Sequence, residues 1–436
     1  MPAFDTSTPA VVLKFDQNVL HHGGLGVVRG LGRFGIPVHC VHEARLAPAA
    51  HSRYLRGRWL WRVESEDVGT VLAGLRRIGQ RMGRPAVLLP TDDAAAIFLA
   101  EHGQGLREWF RFPHPPPDLP RRVAGKHTLH QLCRELGVPC AEAELAEDWQ
   151  RAREFADRVG FPLVGKLAEP WTTRAVPSTS IVRDRQQLAD LHRASGGGLL
   201  LQEFVPGVAG GDWFFHGYCG EDSRCAPACT GVKERSYPAH SGLTSLGRCV
   251  ENPELAQLAT AVLARTGFRG IVDLDFRQDV RDGRYKLLDF NPRLGAQFRL
   301  FRDPAGVDLA LAAYLDLTGQ GPVGGDPATG RRFVVENYDP IAAFGYWRLG
   351  ELGLREWRRS LRGVDERAWF ARDDVLPFAL MCLWMGWRAA SRPFRGGPRP
   401  PTPRPRYRPG RGASETGGGA RRRPRPVQDT VQEDWV

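Results

Sequence analysis

Two alternating runs joined by a tight turn constrain this chain most. Residues 270–278 read GIVDLDFRQ and residues 285–293 read YKLLDFNPR, with Asp282-Gly283 between them. Period-two alternation flanking an Asp-Gly pair is the signature of a β-hairpin. Successive side chains of a strand point to opposite faces, so Asp273 and Asp275 on the first run and Asp289 and Asn291 on the second can converge on one face. Asp275, Asp289 and Asn291 then supply two carboxylates and an amide oxygen. That hard-oxygen set leaves room for water and suits Mg²⁺ bridging phosphates better than zinc or a closed calcium cage. Arg293 lies two residues past Asn291, on the same face if the strand continues, where a guanidinium can hold a phosphoryl group or developing negative charge. Taken alone, the pattern is equally that of a solvent-facing hairpin with ordinary polar alternation.

Upstream, the chain alternates strands and helices. AVVLKF at 10–15 is an apolar run followed by HHGGLGVVRGLGRFG, in which Gly23, Gly24 and Gly26 precede a helical pattern and Gly35 stops it. Ile36–Val41 reads as the next strand, and PAVLLPTDD followed by AAAIFLAEHG is another strand–helix unit. Such alternation implies a parallel, doubly wound α/β domain over 1–115. The proline-rich stretch 111–120 marks its end. Helices follow in AGKHTLHQLCRELGVP, ending at Gly137, and DWQRAREFADRVG, ending at Gly160. FPLVGKLAE and LLLQEFVPG read as strands, and a helix in 303–319 ends at Gly319. Residues 116–320 form a second, α+β domain in this reading, 321–388 a partly helical extension, and 389–436 a tail of Pro, Arg and Gly expected to be disordered. The loop Trp171–Ser180 is the expected lid.

Charge narrows the function classes. The net charge is +11, but the segment from Arg388 to Val436 holds twelve Arg against four acids, which leaves +3 for the first 387 residues. The folded part is nearly balanced, and no nucleic-acid partner is expected. Of 60 basic residues only five are lysines: Lys14, Lys126, Lys166, Lys233 and Lys286. A lysine kept in an arginine-rich chain marks a place where a compact ammonium is wanted, although an exposed Lys286 is equally accidental. The eight cysteines include no CxxC and are expected to be reduced and structural. The first residues lack a basic segment leading into a long apolar run, so a cytoplasmic location is expected. LPFALMCLWMGW at 376–387 reads as a docking helix; with the basic tail, 376–425 is also the one segment suited to an anionic membrane surface.

The order Lys126, Lys166, QEFVPG and DFNPR along the chain resembles the ATP-grasp superfamily. That resemblance implies a Rossmann-like pre-ATP-grasp domain followed by a two-subdomain grasp fold that binds ATP with Mg²⁺ or Mn²⁺. It implies phosphate contacts from Lys126 and Lys166 and adenine contacts along Gln202, Glu203, Phe204 and Val205. Asp212 takes the ribose, Asp275, Asp289 and Asn291 take the metal, and Arg293 stabilises charge. GGLGVVRGLGRFGIPV, PTDD and VKERSYPAHSGLTS extend the likeness to the predicted ATP-dependent carboligases (carboxylate–amine ligases) that are similar to D-aspartate ligase. Those enzymes join a small-molecule carboxylate to an amine, an amino acid or a peptide, through an acyl phosphate. In this reading Lys233 and Arg235 clasp the substrate carboxylate or the γ-phosphate, or form a solvated charge pair. Two departures matter. Asp289 stands where Glu is common, which keeps a non-catalytic ATP-binding module as the alternative. The GGLG turn is also compatible with a dinucleotide-dependent oxidoreductase, although Glu43 is an unconvincing ribose acid; a structural turn or a wall of the substrate pocket suits it better.

Overall fold

Ala10–Leu13, Val38–His42, Leu55–Leu60, Ala86–Pro90 and Phe110–Arg111 are short strands, the first two wholly buried, and such runs pack with helices on both faces of a parallel sheet. The computed structural model describes residues 4–63, 66–167, 179–195, 199–207, 210–240, 242–321, 325–391 and 432–435. These strands pair in parallel, with Ala10–Leu13 between Val38–His42 and Ala86–Pro90. One face carries Val11, Leu13, Leu75 and Phe98; the other carries Val12, Val27, Leu31 and the helix Leu309–Leu317. That helix is apolar all round, and it is buried between the first sheet and the rest of the protein. The expected doubly wound first domain is present. The tail holds one difference: Gln432–Trp435 pairs antiparallel with Leu55–Leu60 as an edge strand, whereas 392–431 lie outside the described residues.

Two sheets form the second part, antiparallel except where the last two strands of the larger one pair in parallel. The small one orders Ala143–Ala146, Leu199–Glu203, Leu163–Leu167 and Thr179–Val182, with the helices Trp149–Val159 and Arg185–Ser195 on one face. Asp148 caps the first helix by accepting from the Arg151 N–H, and Gly160 ends it at φ 83°. The large sheet orders Tyr285–Asn291, Gly270–Gln278, Asp212–Cys219, Cys225–Tyr237, Leu243–Cys249, Arg332–Val334 and Glu366–Arg367. The helices Leu119–Ala124, Lys126–Glu135 and Pro253–Thr266 bury one face of it around Leu132, Val262, Phe268 and Leu287. The last two strands come from the 321–388 extension, so that segment completes the large sheet.

Several expectations change here. Gly23, Gly24 and Gly26 lie inside the helix His22–Gly32, which is packed tightest at Gly26. A Cβ on Gly26 would stand 2.8 Å from Arg299 Nε and 2.9 Å from the Phe298 ring. The Gly-rich segment is therefore a packing device against 296–308. Cys219 and Cys225 are disulfide-bonded, since the hairpin sets them opposite one another. Lys286 is half-buried and ion-paired with Asp279 at 2.7 Å. The lid expected at Trp171–Ser180 lies outside the described residues apart from its last two positions. The helix Leu376–Ala390 docks through buried Pro377 and Met381, while Leu383 and Trp387 stay exposed. Among the described residues no helix is long and apolar enough to cross a membrane.

Candidate active site

The hairpin forms as its alternation requires. Asp275 faces Asp289 and Asp273 faces Asn291 across the two strands, and Gly283 makes the turn at φ 71°. A one-residue irregularity between Asp275 and Phe276 leaves Leu288 unpaired without changing the face on which the four polar residues meet. The four therefore share one surface of the large sheet.

Each carboxylate meets a cation from another part of the chain. Lys126, at the start of its helix, donates to Asp289. Lys233 stands 2.9 Å from Asp275. Arg293 donates to Asp273 at 3.0 Å and reaches to 3.2 Å from Asp93, which follows the strand Ala86–Pro90 of the first domain. Lys166 projects from the small sheet and donates to Gln202 Oε1 at 2.9 Å. Burial, with Lys126 nearby, lowers its ammonium to about 8, while Asp289 pulls the other way. Burial also pushes the Asp273 and Asp275 carboxyls above the usual range; at Asp289 burial does the same, but Lys126, Lys166 and Arg293 outweigh it and the net shift is downward.

The residues present fit a divalent cation. Asp275 Oδ1 meets Lys233 Nζ at 2.9 Å and Asp273 Oδ1 meets His216 Nε2 at 3.2 Å, and each buried oxygen keeps a lone pair for a cation. Asn291 donates through Nδ2 to the Asp273 carbonyl at 3.1 Å, which leaves its Oδ1 as the ligating atom. Among the described residues no group of three or more His, Cys, Asp and Glu side chains is assembled as a metal cluster, so the amide is needed to complete a protein donor set. His216, fully buried, lies 3.2 Å from Asp273, and burial drops its imidazole to about 3, so it is neutral. Asp273, Asp93 and His216 were not among the expected site residues. The alternation already marked Asp273 and the acid run after a strand marked Asp93; His216 gave no sequence signal.

The strand exit is more constrained than its sequence implies. Glu203 is buried, accepts from the Glu142 N–H and pairs with Arg281, so its side chain is a fastener between the small sheet and the hairpin turn. Val205 is buried, and its carbonyl accepts from Arg277 at 3.3 Å. Phe204 is half-buried between them. Asp212 is gripped at both oxygens by Arg277, at 2.6 and 3.1 Å. A carboxylate oxygen keeps a second lone pair, so Asp212 can still accept from a hydroxyl.

Arg235 is not in the site. Register shifts on both sides of it place an extra residue after Lys233 and turn Arg235 to the other face. There it holds Asp339 with two bonds, at 2.9 and 3.0 Å, and reaches Ser360 Oγ at 2.8 Å. Both partners are buried, and the pair fastens the C-terminal extension to the large sheet.

The first domain closes the site on its far side. Lys14, Glu43 and Asp93 follow three parallel strands whose order reverses between Ala10–Leu13 and Ala86–Pro90, the topological switch point where α/β sheets bind ligands. Lys14 lies 2.8 Å from Glu43 Oε2, and the pair is largely buried. A small, mainly apolar opening lies beside the Arg293 segment, with Arg293, Arg269, Leu89 and Ile271 on its walls.

A parallel α/β domain followed by a small and a large antiparallel sheet, with lysines from both sides facing an acidic hairpin, is the ATP-grasp fold. No family model matches the chain. Over 303 residues it is 24% identical to D-aspartate ligase of Enterococcus faecium (strain Aus0004), covering 65% of this chain and 71% of that protein. Among solved structures it resembles L-amino acid ligase from Bacillus licheniformis, with a TM-score of 0.55 and 13% identity over 76% of this chain and 79% of that one. It also resembles the biotin carboxylase domain of 2-oxoglutarate carboxylase from Hydrogenobacter thermophilus, solved with MgADP, ADP and bicarbonate. There the TM-score is 0.53, with 14% identity over 75% of this chain and 73% of that one.

Proposed function

We propose that this protein is an ATP-dependent carboxylate–amine ligase that forms an amide through an acyl phosphate and releases ADP and phosphate. The observation that carries the reading is the convergence of Lys126, Lys166 and Arg293 on the face bearing Asp275, Asp289 and Asn291. Without nucleotide, Lys126 and Lys233 neutralise Asp289 and Asp275. Mg²⁺ or Mn²⁺ held by Asp275, Asp289 and Asn291 would supply that neutralisation, screen the phosphates and free the lysines to face them. Lys126 and Lys166 bind phosphate oxygens, and adenine lies along Gln202, Glu203, Phe204 and Val205, with Asp212 on the ribose.

An oxygen of the substrate carboxylate attacks the γ-phosphorus, and the bond to the ADP oxygen breaks. Arg293, held by Asp273 and Asp93, is fixed where charge develops on the transferred phosphoryl group, so no reorganisation is needed at the moment of transfer. The amine nitrogen then attacks the acyl carbon and phosphate leaves. The second substrate sits beside Arg293, where Asp93 suits an ammonium, with the Lys14–Glu43 pair at the neighbouring strand ends. The sequence relative makes D-aspartate the first carboxylate to examine. The test is ADP formation by the full-length protein with Mg²⁺ and ATP, against amino acids and small carboxylates added singly and in pairs. ADP release that depends on one pair, with a new amide seen by mass, supports the ligase. ATP binding with no release stimulated by any pair supports instead a non-catalytic ATP-binding module.

A further inference from the structure

The connection from the helix Lys126–Glu135 to the strand Ala143–Ala146 carries a polar sulfur cluster that the ligase reading does not use. Cys140 is half-buried and packs against the apolar cluster that buries Cys133. His130, one turn before Cys133 on the helix, places Nδ1 3.4 Å from Cys140 Sγ. Its other nitrogen lies 4.0 Å from Glu142, which is exposed to solvent. A thiol with an imidazole on one side, a second thiol on the other and a carboxylate behind the imidazole is built like an attacking cysteine with its resolving partner.

We propose that Cys140 and Cys133 form a hydroperoxide-reactive dithiol site, with Cys140 the attacking sulfur and Cys133 the resolving one. The Cys140 thiolate sulfur attacks the terminal oxygen of the peroxide. The O–O bond breaks, the leaving oxygen takes a proton, and Cys140 becomes a sulfenic acid. The Cys133 sulfur then attacks that sulfur, the S–O bond breaks, and water leaves with the Cys133 proton. Two thiols become one disulfide, and the peroxide is reduced to water or an alcohol. The surroundings favour this order. Cys133, then His130, lowers the Cys140 thiol, whereas Cys140 and burial raise Cys133. The bridge would tie the end of the Lys126 helix to the segment leading into the small sheet, at the point where Cys140 pairs with Leu287 of the large sheet.

The test is limited oxidation of the reduced full-length protein with equimolar hydrogen peroxide, followed by peptide mapping. The expected product links the Cys133 and Cys140 peptides with the loss of two hydrogens, ahead of any change at the exposed Cys382. Cys133→Ser leaves a sulfenic acid on Cys140 that dimedone traps. His130→Asn slows alkylation of Cys140 at pH 7 by roughly tenfold, in line with a smaller thiolate fraction. Oxidation at Cys382 with Cys140 untouched overturns the proposal, as does a folded Cys133→Ser protein, checked by its melting, that gives no dimedone adduct at Cys140.

Discussion

Lys126 and Asp289, 163 residues apart in the chain, form an ion pair between the first turn of a helix and the acidic face of the hairpin. The contact joins a phosphate-binding candidate to a metal-binding candidate, so each neutralises the other until nucleotide and cation arrive together.

Lys126→Ala leaves Asp289 without its nearest cation. ADP formation is expected to fall about 10²–10³-fold, the usual cost of removing one contact to developing charge. The nucleotide-free protein is expected to lose about 1–3 kcal/mol, since the remaining partner is left unsatisfied. Adding Asp289→Asn should restore most of the stability and none of the activity. Urea titrations beside steady-state rates check both halves.

Lys166 sets a pH dependence. Its ammonium titrates near 8 in the nucleotide-free protein, and a bound phosphate raises that value. ATP affinity is therefore flat below about pH 8 and falls above it, by up to about tenfold per pH unit, because binding then requires proton uptake. The stability term has its own sign. The unfolded ammonium keeps its ordinary value near 10.4, so the unfolded state binds more protons between about pH 8 and 10, and this group makes stability rise with pH across that window. Calorimetry in buffers of different ionisation enthalpy measures the proton uptake, and Lys166→Arg should abolish it. A wild-type affinity that stays flat to pH 9.5 would remove Lys166 from the phosphate site.

Arg235 and Asp339 form a structural pair, both buried, with Trp357 Nε1 also donating to Asp339 at 2.8 Å. Arg235→Ala should cost about 3–5 kcal/mol by leaving the buried Asp339 carboxylate without its cation. The rate per folded molecule should change less than about threefold. Denaturation midpoints and active-site titration separate the two effects.

Gly26→Ala tests the packing account of the Gly-rich helix. The added methyl meets Phe298 and Arg299, and overpacking of this kind costs about 1–3 kcal/mol. Melting should fall, and wild type should show no NAD-induced shift. A stabilising shift with NAD would revive the dinucleotide reading.

Much of this fold is legible in the sequence because local chemistry and global packing agree. Asp282-Gly283 sets the hairpin turn, and Gly137, Gly160 and Gly319 take the positive φ that ends three helices. The site was legible where period two holds, at Asp273, Asp275, Asp289 and Asn291. It was not legible where a register shift breaks that period: Lys233 and Arg235, two residues apart, part to opposite faces. Nor could Gly23, Gly24 and Gly26 be placed inside a helix, because the close contacts of Gly23 and Gly26 include residues about 270 positions downstream, at Ala296, Phe298 and Arg299. The buried fastening of Glu203 to Arg281 and the cross-strand bond of Cys219 to Cys225 likewise depend on partners that tertiary structure chooses.

The central claim is that a carboxylate oxygen attacks the γ-phosphorus on the Asp275–Asp289 face, and oxygen-18 follows that atom directly. Single-turnover reaction with Mg²⁺, ATP, an amine and a carboxylate labelled with oxygen-18 should deliver one labelled oxygen to the released phosphate, in step with amide formation. Phosphate that carries no label while ADP and amide still form would contradict the acyl phosphate and the roles given to Lys126, Lys166 and Arg293.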